Sequence, residues 1–259
     1  MLRLFLLIAF LHLSAGRTFA EDRQLAELFM KNGIQGTMVI RSLKSDRSFI
    51  FNDMRARRRV SPASTFKIFN TLIALQEHAV TPENNLLKWD GTHYDYPEWN
   101  SDQTLESAFR VSCLWYYQEL ARKVGAEKYR RYLHEAGYGR LSGPFETDSF
   151  WLDGSLLISP VEQVKFLKKV YLLKFPFSSS VYDKLAEIMV SEKGQGYTVR
   201  AKTGWAARVK PQIGWYVGYV ETADDVWFFA TNIDIRSDAD LPFRKKLVFE
   251  ALKKKGIIR

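Results

Sequence analysis

The sequence is poor in the residues that cross-link small proteins and hold metal ions. It contains a single cysteine, Cys113, which excludes a disulfide bond within the chain. Its histidines are few and far apart, and no spacing typical of zinc ligands occurs. We therefore predict neither a disulfide framework nor a structural metal. The histidines are His12, His78, His93 and His134.

Long apolar runs are also missing, since a comfortable bilayer span takes about 20 apolar residues. The run at residues 4–13 follows a basic residue and gives way to smaller, more polar residues ending at Ala20. This pattern predicts a secretory signal peptide over residues 1–20. Residues 21–259 are then expected to work outside the cytoplasmic membrane, without stable membrane insertion. An uncleaved anchor is the alternative, because Phe19 makes the cleavage site imperfect.

The composition is that of one folded, globular unit. Of the 259 residues, 46% are hydrophobic and 26% are charged, which excludes a disordered or collagen-like chain. The formal net charge of +9 suits nucleic acid, an anionic surface or a small anionic substrate, and charge alone does not choose among them. The basic run at residues 55–59 lacks interleaved aromatic residues. We interpret it as a solvated loop and predict no nucleic acid partner.

Strand patterns lie at both ends of the chain and helical patterns in its middle. Runs of β-branched and aromatic residues at 36–41 and 48–51, joined by turn formers, predict a hairpin. Helical periods fill the stretch from about 62 to 174. This order favours an α+β fold, in which helices are grouped beside an antiparallel sheet. Further expectations are strands at 197–202, 213–220 and 226–235, helices at 114–124 and 161–173, and a closing helix with Asp240 as N-cap, Pro242 in its first turn and Gly256 as its stop.

A serine and a lysine stand one helical turn apart at the start of a helical pattern. Ser61 is expected to cap this helix and Pro62 to fill its first position, which places Ser64 and Lys67 on one face. A serine hydroxyl needs an adjacent base to become a nucleophile, and a lysine serves only if burial lowers its pKa. Apolar neighbours such as Phe66 make this burial credible. The spacing alone is a weak signal, because a chain of this length holds about one such pair by chance.

A second motif strengthens the hypothesis of a serine nucleophile. Lys202-Thr203-Gly204 lies at the end of a predicted strand, and Gly214-Trp215 follows on the next one. The tripeptide is expected by chance in only about one such chain in twenty. The order of the two motifs and their placement on these elements favour catalysis over coincidence.

Six segments, in order, resemble the class D (oxacillinase-type) β-lactamases among the penicillin-recognising serine enzymes. The resemblance covers nearly all of residues 21–259 and implies a β-lactamase/transpeptidase-like domain of a bacterial, periplasmic protein that gives antibiotic resistance. It implies an antiparallel sheet flanked by N- and C-terminal helices, with an all-helical lobe inserted at roughly residues 66–155. The segments are Pro62-Ala63-Ser64-Thr65-Phe66-Lys67, Lys88-Trp89-Asp90-Gly91, Asp148-Ser149-Phe150-Trp151-Leu152-Asp153-Gly154, Ile158-Ser159-Pro160, Ala201-Lys202-Thr203-Gly204 and Ile213-Gly214-Trp215-Tyr216-Val217-Gly218-Tyr219-Val220-Glu221.

The resemblance implies the chemistry of the first motif. Ser64 would attack the lactam carbonyl and become acylated, with the N–H groups of Ser64 and Trp205 as the oxyanion hole. Lys67 would be carboxylated by CO2 (N6-carboxylysine) and act as general base for acylation and for the deacylating water. Trp151 would hydrogen-bond this carbamate, and Leu152 would form part of its apolar lid. No cofactor other than CO2 is expected.

The other matching residues would serve the leaving nitrogen and the substrate carboxylate. Ser112, which opens the second motif of the class, would relay a proton to the lactam nitrogen and be tuned by Lys202. Thr203 and Arg244 would bind the carboxylate, for which a planar guanidinium is suited. Gly204 belongs to the same substrate-binding strand. The implied partner is a small-molecule β-lactam, and no oligomeric state is implied.

Two positions depart from the class. Leu114 stands where the second motif usually ends in valine, and its extra methylene could impede the hydrolytic water if it covers the carbamate. Arg140 replaces the asparagine of the Tyr-Gly-Asn motif, so we expect no catalytic role for it. Cys113 is interpreted as a small buried thiol, because it has no identifiable histidine partner.

Two alternatives share the same motifs. A β-lactam sensor is acylated without turnover, and a D-Ala-D-Ala peptidase passes its acyl group to peptidoglycan. The short export segment argues against a sensor, whose domain is attached to several transmembrane helices. The residues around Trp151 favour a lactamase over a peptidase. Neither the substrate spectrum nor the extent of Lys67 carboxylation follows from the sequence.

Overall fold

A computed structural model describes residues 21–259, so the predicted signal peptide lies outside the described residues. Within the described part, helices cover both faces of an antiparallel sheet, which confirms the expected α+β fold. No helix in this part is both long enough and apolar enough to cross a membrane.

A six-stranded antiparallel sheet forms the centre of the molecule. Its strands run from one edge to the other in the order β2-β1-β8-β7-β6-β5, which makes neighbours of the two ends of the chain. The predicted hairpin and the three C-terminal strands are all present. The strands of this sheet are β1 (Gly36–Ser42), β2 (Ser48–Phe51), β5 (Val190–Gly194), β6 (Tyr197–Ala206), β7 (Gln212–Thr222) and β8 (Val226–Ile235), and a separate pair is formed by β3 (Arg140–Leu141) and β4 (Leu156–Leu157).

The helices form two groups, one on each face of the sheet. Helices α1 and α9 pack together against one face, and α7 packs against the other beside a cluster of the remaining helices. Their bounds are α1 (Arg23–Lys31), α2 (Asp53–Arg57), α3 (Lys67–Gln76), α4 (Leu105–Arg110), α5 (Leu114–Val124), α6 (Ala126–Ala136), α7 (Pro160–Tyr171), α8 (Ser179–Ile188) and α9 (Phe243–Lys254).

Side-chain alternation along the central strands divides the core in two. Trp215 and Phe228 point to the helical cluster, whereas their neighbours Tyr216 and Phe229 point to α1 and α9. Successive residues of a strand face opposite sides of the sheet, so a strand covered on both faces is apolar throughout. This explains why β7 and β8 carry long unbroken apolar runs: both of their faces are buried.

Three local expectations are corrected by the structure. Asp240 does not cap the last helix; its carboxylate accepts hydrogen bonds from the backbone N–H and guanidinium of Arg236, and α9 begins after Pro242. Ser61 does not cap a helix either, because its hydroxyl donates to the Trp151 carbonyl. In both cases a tertiary or charge-assisted partner outcompetes the local cap. The helix expected at 161–173 ends earlier, at Tyr171.

The Lys202-Thr203-Gly204 motif lies inside β6 rather than at its end. Each of its residues is paired with β7, with Gly204 opposite Trp215. The continuous ladder to β7 outweighs the weak strand preference of glycine, and β6 therefore extends to Ala206.

Candidate active site

The Ser64 hydroxyl and the Lys67 amine are in direct contact. Lys67 Nζ lies 3.1 Å from Ser64 Oγ, and the lysine side chain is buried, with 1% of the residue exposed. Burial lowers the pKa of Lys67 from its ordinary value of 10.5 to about 7. A large share of these amines is therefore uncharged at neutral pH. An uncharged amine can accept the serine proton, as a protonated one cannot.

The turn that carries Ser64 is held by an unusual backbone conformation. Ala63 has a φ of 46°, in the left-handed region that a β-carbon disfavours. Its N–H donates to the Trp151 carbonyl at 3.0 Å, and the Ser61 hydroxyl donates to the same carbonyl at 2.8 Å. Ser64 thus lies in a short 3-10 turn, Ala63–Phe66, which leads directly into α3. Two bonds to a distant segment fix this turn, which is why local capping rules failed here.

The indole of Trp151 is buried close to this turn. Its ring stacks on that of Phe66 at 5.6 Å between centroids. Its Nε1–H is buried and forms no hydrogen bond with any described residue, although a buried indole N–H usually finds an acceptor. An uncharged Lys67 amine and an unpaired indole N–H beside the same helix start fit a lysine carbamate, which needs a neutral amine to form and a donor to hold it.

Ser112 and Lys202 form a second serine–lysine pair. Lys202 Nζ donates to Ser112 Oγ and, at 3.1 Å, to the Thr203 carbonyl. Lys202 is only 4% exposed. Burial, followed by repulsion from Lys67 and Arg244, lowers the pKa of Lys202 well below its ordinary range. The Ser112 hydroxyl beside this amine carries a proton that it can pass to a leaving group, which is the role expected of Ser112, with Lys202 tuning it.

Strand β6 packs against the 3-10 turn that carries Ser64. A β-carbon on Gly204 would lie 3.0 Å from the Pro62 carbonyl oxygen and 3.2 Å from the Thr65 nitrogen, so only glycine permits this approach without displacement. The Trp205 side chain is held by a 2.8 Å hydrogen bond from its Nε1 to Gln212. The approach of β6 places the main chain of Gly204 and Trp205 along the same cleft as Ser64.

Arg244 closes the same cleft from α9. Its Nη1 donates to the Gly204 carbonyl at 3.0 Å and its Nε to the Leu241 carbonyl at 2.7 Å, which leaves further N–H groups for a ligand. A β-carbon on Gly214 would lie 2.8 Å from Arg244 Cδ, so this glycine makes room for the arginine stem. Burial lowers the pKa of Arg244 to about 10, which still leaves it charged at neutral pH.

These residues surround a cleft of about 380 Å³. Ser64, the nucleophile expected from the sequence, is exposed to it, whereas the amines of Lys67 and Lys202 and the Trp151 indole are buried behind its wall. Of the residues expected from the sequence, the cleft is lined by Ser64, Ser112, Leu114, Leu152, Thr203, Gly204, Trp205 and Arg244.

Several lining residues were not expected from the sequence. Tyr96 and Trp99, with ring centroids 4.6 Å apart, form an aromatic wall, and Arg110 and Arg208 add two charges. No local motif marks them, because they reach the cleft from three separate segments of the chain: the stretch around Trp99, the end of α4 and the turn after β6. Only knowledge of which elements surround the cleft could have identified these residues.

The remaining candidates have the surroundings expected of non-catalytic residues. Cys113 is fully buried, and burial raises the pKa of its thiol to about 11. Arg140 is exposed in β3 and does not line the cleft. Among residues 21–259, no group of three or more His, Cys, Asp and Glu side chains is placed to hold a metal ion.

The chain resembles known proteins in both sequence and fold. The penicillin binding protein transpeptidase domain matches residues 29–253. The chain is 38% identical to β-lactamase OXA-48 of Klebsiella pneumoniae, over 95% of this chain and 92% of that protein. It superposes on the crystal structure of FUS-1 (OXA-85), a class D β-lactamase from Fusobacterium nucleatum subsp. polymorphum, with a TM-score of 0.89, 37% identity and coverage of 92% and 100% of the two chains.

A regulatory protein shows a similar degree of likeness over part of its length. The chain is 37% identical to BlaR1 of Bacillus licheniformis over 93% of this chain and 40% of that protein. The fold and the serine–lysine site define a penicillin-recognising serine protein. Within that superfamily, the chain belongs to the class D β-lactamases, as the resemblance of its motifs predicted.

Proposed function

We propose that the chain hydrolyses the β-lactam ring of penicillins through an acyl-enzyme on Ser64. The observation that carries this proposal is the 3.1 Å contact between Ser64 Oγ and a buried Lys67 amine whose pKa is about 7. Ser64 Oγ would bond to the lactam carbonyl carbon and lose its proton as the ring C–N bond breaks. Lys67 would accept the Ser64 proton, and Ser112, tuned by Lys202, would relay a proton to the nitrogen. Water would then cleave the ester and restore the Ser64 hydroxyl.

We also propose that Lys67 carries CO2 as a carbamate. When present, this group would supply a carboxylate-like general base at the end of the Lys67 side chain. The support is the uncharged, buried amine of Lys67 and the unpaired N–H of Trp151. The burial of Lys67 disfavours the protonation that releases CO2.

The substrate carboxylate would be bound by Thr203 and Arg244. The remaining N–H groups of Arg244 can form a bidentate pair, and two backbone carbonyls already fix the orientation of its guanidinium. This end of the cleft lies on β6 and α9, the elements that also hold Gly204 and Trp205. Bound there, a penicillin would present its lactam carbonyl between Ser64 and the edge of β6.

A sensor that is acylated without turnover is the second candidate, favoured by the likeness to BlaR1 and by Leu114. Leu114 lines the cleft together with Leu152, where its extra methylene could exclude the deacylating water. A D-Ala-D-Ala peptidase is the third outcome that the same experiment can reveal. We further propose that residues 1–20 direct export to the bacterial periplasm, where hydrolysis would confer antibiotic resistance. N-terminal sequencing of exported protein, with a new terminus at Glu21, tests this.

The decisive experiment measures penicillin turnover and the acyl-enzyme together. Purified protein should hydrolyse benzylpenicillin catalytically, faster with added bicarbonate, and Ser64→Ala should abolish both turnover and the mass increase of acylation. A stable acyl adduct without turnover would support the sensor, and turnover of D-Ala-D-Ala peptides alone would support the peptidase. The same two quantities, turnover and acylation, are measured for Lys67→Ala. Lys88→Ala, an exposed change outside the site, is its matched control.

The carbamate has its own readout, independent of activity. Protein equilibrated with ¹³C-labelled bicarbonate should show a carbamate carbon resonance that disappears in Lys67→Ala and weakens in Trp151→Phe. Trp227→Phe, on the opposite face of the sheet, should leave the resonance unchanged. Full-speed turnover by a protein with no such resonance would disprove the carbamate but not the acyl-enzyme.

A further inference from the structure

The cleft holds more positive charge than the carboxylate of one simple penicillin requires. Three arginines line it: Arg110, Arg208 and Arg244. Among the described residues, no aspartate or glutamate lines it. Asp95 and Glu98 belong to the segment that carries the aromatic wall, but they lie outside the cleft. A monoanionic penicillin would be neutralised by Arg244 alone.

The two additional arginines reach the cleft from different elements. Arg110 ends α4, directly before Val111 and Ser112, and Arg208 lies in the turn between β6 and β7. Both are exposed, and neither forms an ion pair or a hydrogen bond within residues 21–259.

Some other exposed arginines of the chain do have carboxylate partners. Arg59 pairs with Glu162, Arg122 with Asp148 and Arg236 with Asp240, so acidic residues neutralise arginine at several places on the surface. Among the described residues, no acidic side chain neutralises Arg110 or Arg208 in the cleft. Two unpaired guanidinium groups beside a partly enclosed, apolar cleft attract an anion more strongly than they would on an open surface.

We propose that the cleft selects β-lactams whose acyl side chain carries a second anionic group, which Arg110 and Arg208 bind. The aromatic wall of Tyr96 and Trp99 lies in the same cleft and suits an aryl ring next to that anion. An α-carboxylated arylacetyl side chain combines both features. The proposal rests on the proposed function, because Ser64 and Arg244 must bind the lactam core for the side chain to reach these residues.

Two penicillins that differ only in this charge provide the test. Benzylpenicillin has an uncharged phenylacetyl side chain, and carbenicillin is its α-carboxylated counterpart. The quantity measured is the ratio of kcat/KM for carbenicillin to that for benzylpenicillin. We expect Arg110→Gln and Arg208→Gln each to lower this ratio about threefold and the double variant about tenfold, the size expected of exposed ion pairs. Raising the salt to about 1 M should lower the wild-type ratio in the same direction.

The matched control removes an equal charge elsewhere. Arg23→Gln changes an exposed arginine of α1, on the opposite face of the sheet, and should leave the ratio unchanged. An unchanged ratio in the double variant overturns the proposal, as does an equal fall in Arg23→Gln, which would reflect net charge only. If the protein is acylated without turnover, the second-order rate constants of Ser64 acylation replace kcat/KM, so failure of hydrolysis and failure of this proposal remain distinct.

Discussion

Replacing Lys67 by methionine should remove activity and increase the stability of the fold. Methionine has nearly the same length, carries no charge and suits apolar surroundings. The pKa of Lys67 falls from 10.5 to about 7 on folding because the amine is buried. Each pH unit corresponds to about 1.4 kcal/mol, so the buried amine lowers the free energy of unfolding by about 5 kcal/mol at and below neutral pH. Losing the contact with Ser64 costs about 1 kcal/mol, which leaves a net gain of about 3–4 kcal/mol.

The sign of the pH dependence follows from the two protonation states. Above pH 10.5 the amine is uncharged in both the folded and the unfolded chain, and burial has no such cost. Between pH 10.5 and about 7 the unfolded chain binds a proton that the folded chain does not, so wild-type stability falls as the pH falls. The advantage of Lys67→Met should therefore be greatest near pH 7 and shrink towards pH 10. Removing Lys67 also raises the pKa of Lys202, which it now lowers by repulsion.

Urea unfolding in CO2-depleted buffers at several pH values measures this difference directly. Lys123→Met, which changes an exposed lysine of α5, is the control and should stay within about 0.5 kcal/mol of wild type at every pH. If Lys67→Met is no more stable than wild type at pH 7, or if its stability varies with pH as wild type does, the buried amine is not held uncharged and the reasoning fails.

Four further outcomes are expected. Activity in the absence of added bicarbonate should rise with pH through about 7, as Lys67 loses its proton, and a flat kcat/KM profile from pH 5.5 to 8 would contradict this assignment. Arg244→Gln should raise KM for benzylpenicillin about 10- to 100-fold, the loss of one charge-assisted pair, and an unchanged KM in steady-state assays would place the carboxylate elsewhere. Leu114→Val should speed deacylation a few-fold in burst-phase experiments, with the acylation rate nearly unchanged; slower release would refute obstruction by the extra methylene. Cys113→Ala should keep most of the activity at a cost of about 1 kcal/mol in unfolding free energy, whereas complete loss of acylation would show that the thiol takes part.

Local spacing was enough to predict much of the fold and the centre of the site. Runs of β-branched and aromatic residues predicted the hairpin and the C-terminal strands, and the helix at Leu114–Val124 has the predicted bounds. The contact between Ser64 and Lys67 follows from their separation by one helical turn, and it survives although that turn is 3-10 rather than α-helical. Short-range geometry of this kind depends on only a few neighbouring residues, so it can be predicted from the sequence.

The errors occurred where a distant partner competes with a local rule. Ser61 would cap a helix in isolation, but its hydroxyl reaches the carbonyl of Trp151, 90 residues away. Asp240 lost its capping role to a charged partner, Arg236. The arginines and aromatic rings of the cleft come from helices and connecting segments that are far apart in the chain, and no local pattern indicates that they meet.

The sequence by itself determined which chemical groups are available and which of them lie one turn apart: a hydroxyl, an amine and a Lys-Thr-Gly strand. Only the tertiary structure decided that Lys202 meets Ser112 across 90 residues and that the Lys67 amine is buried. It also decided that, within residues 21–259, the cleft is lined by arginines and by no acidic residue. The physical reason is that burial is a collective property. The pKa of Lys67 depends on the exclusion of water by many residues from several elements, and no single stretch of the chain specifies it.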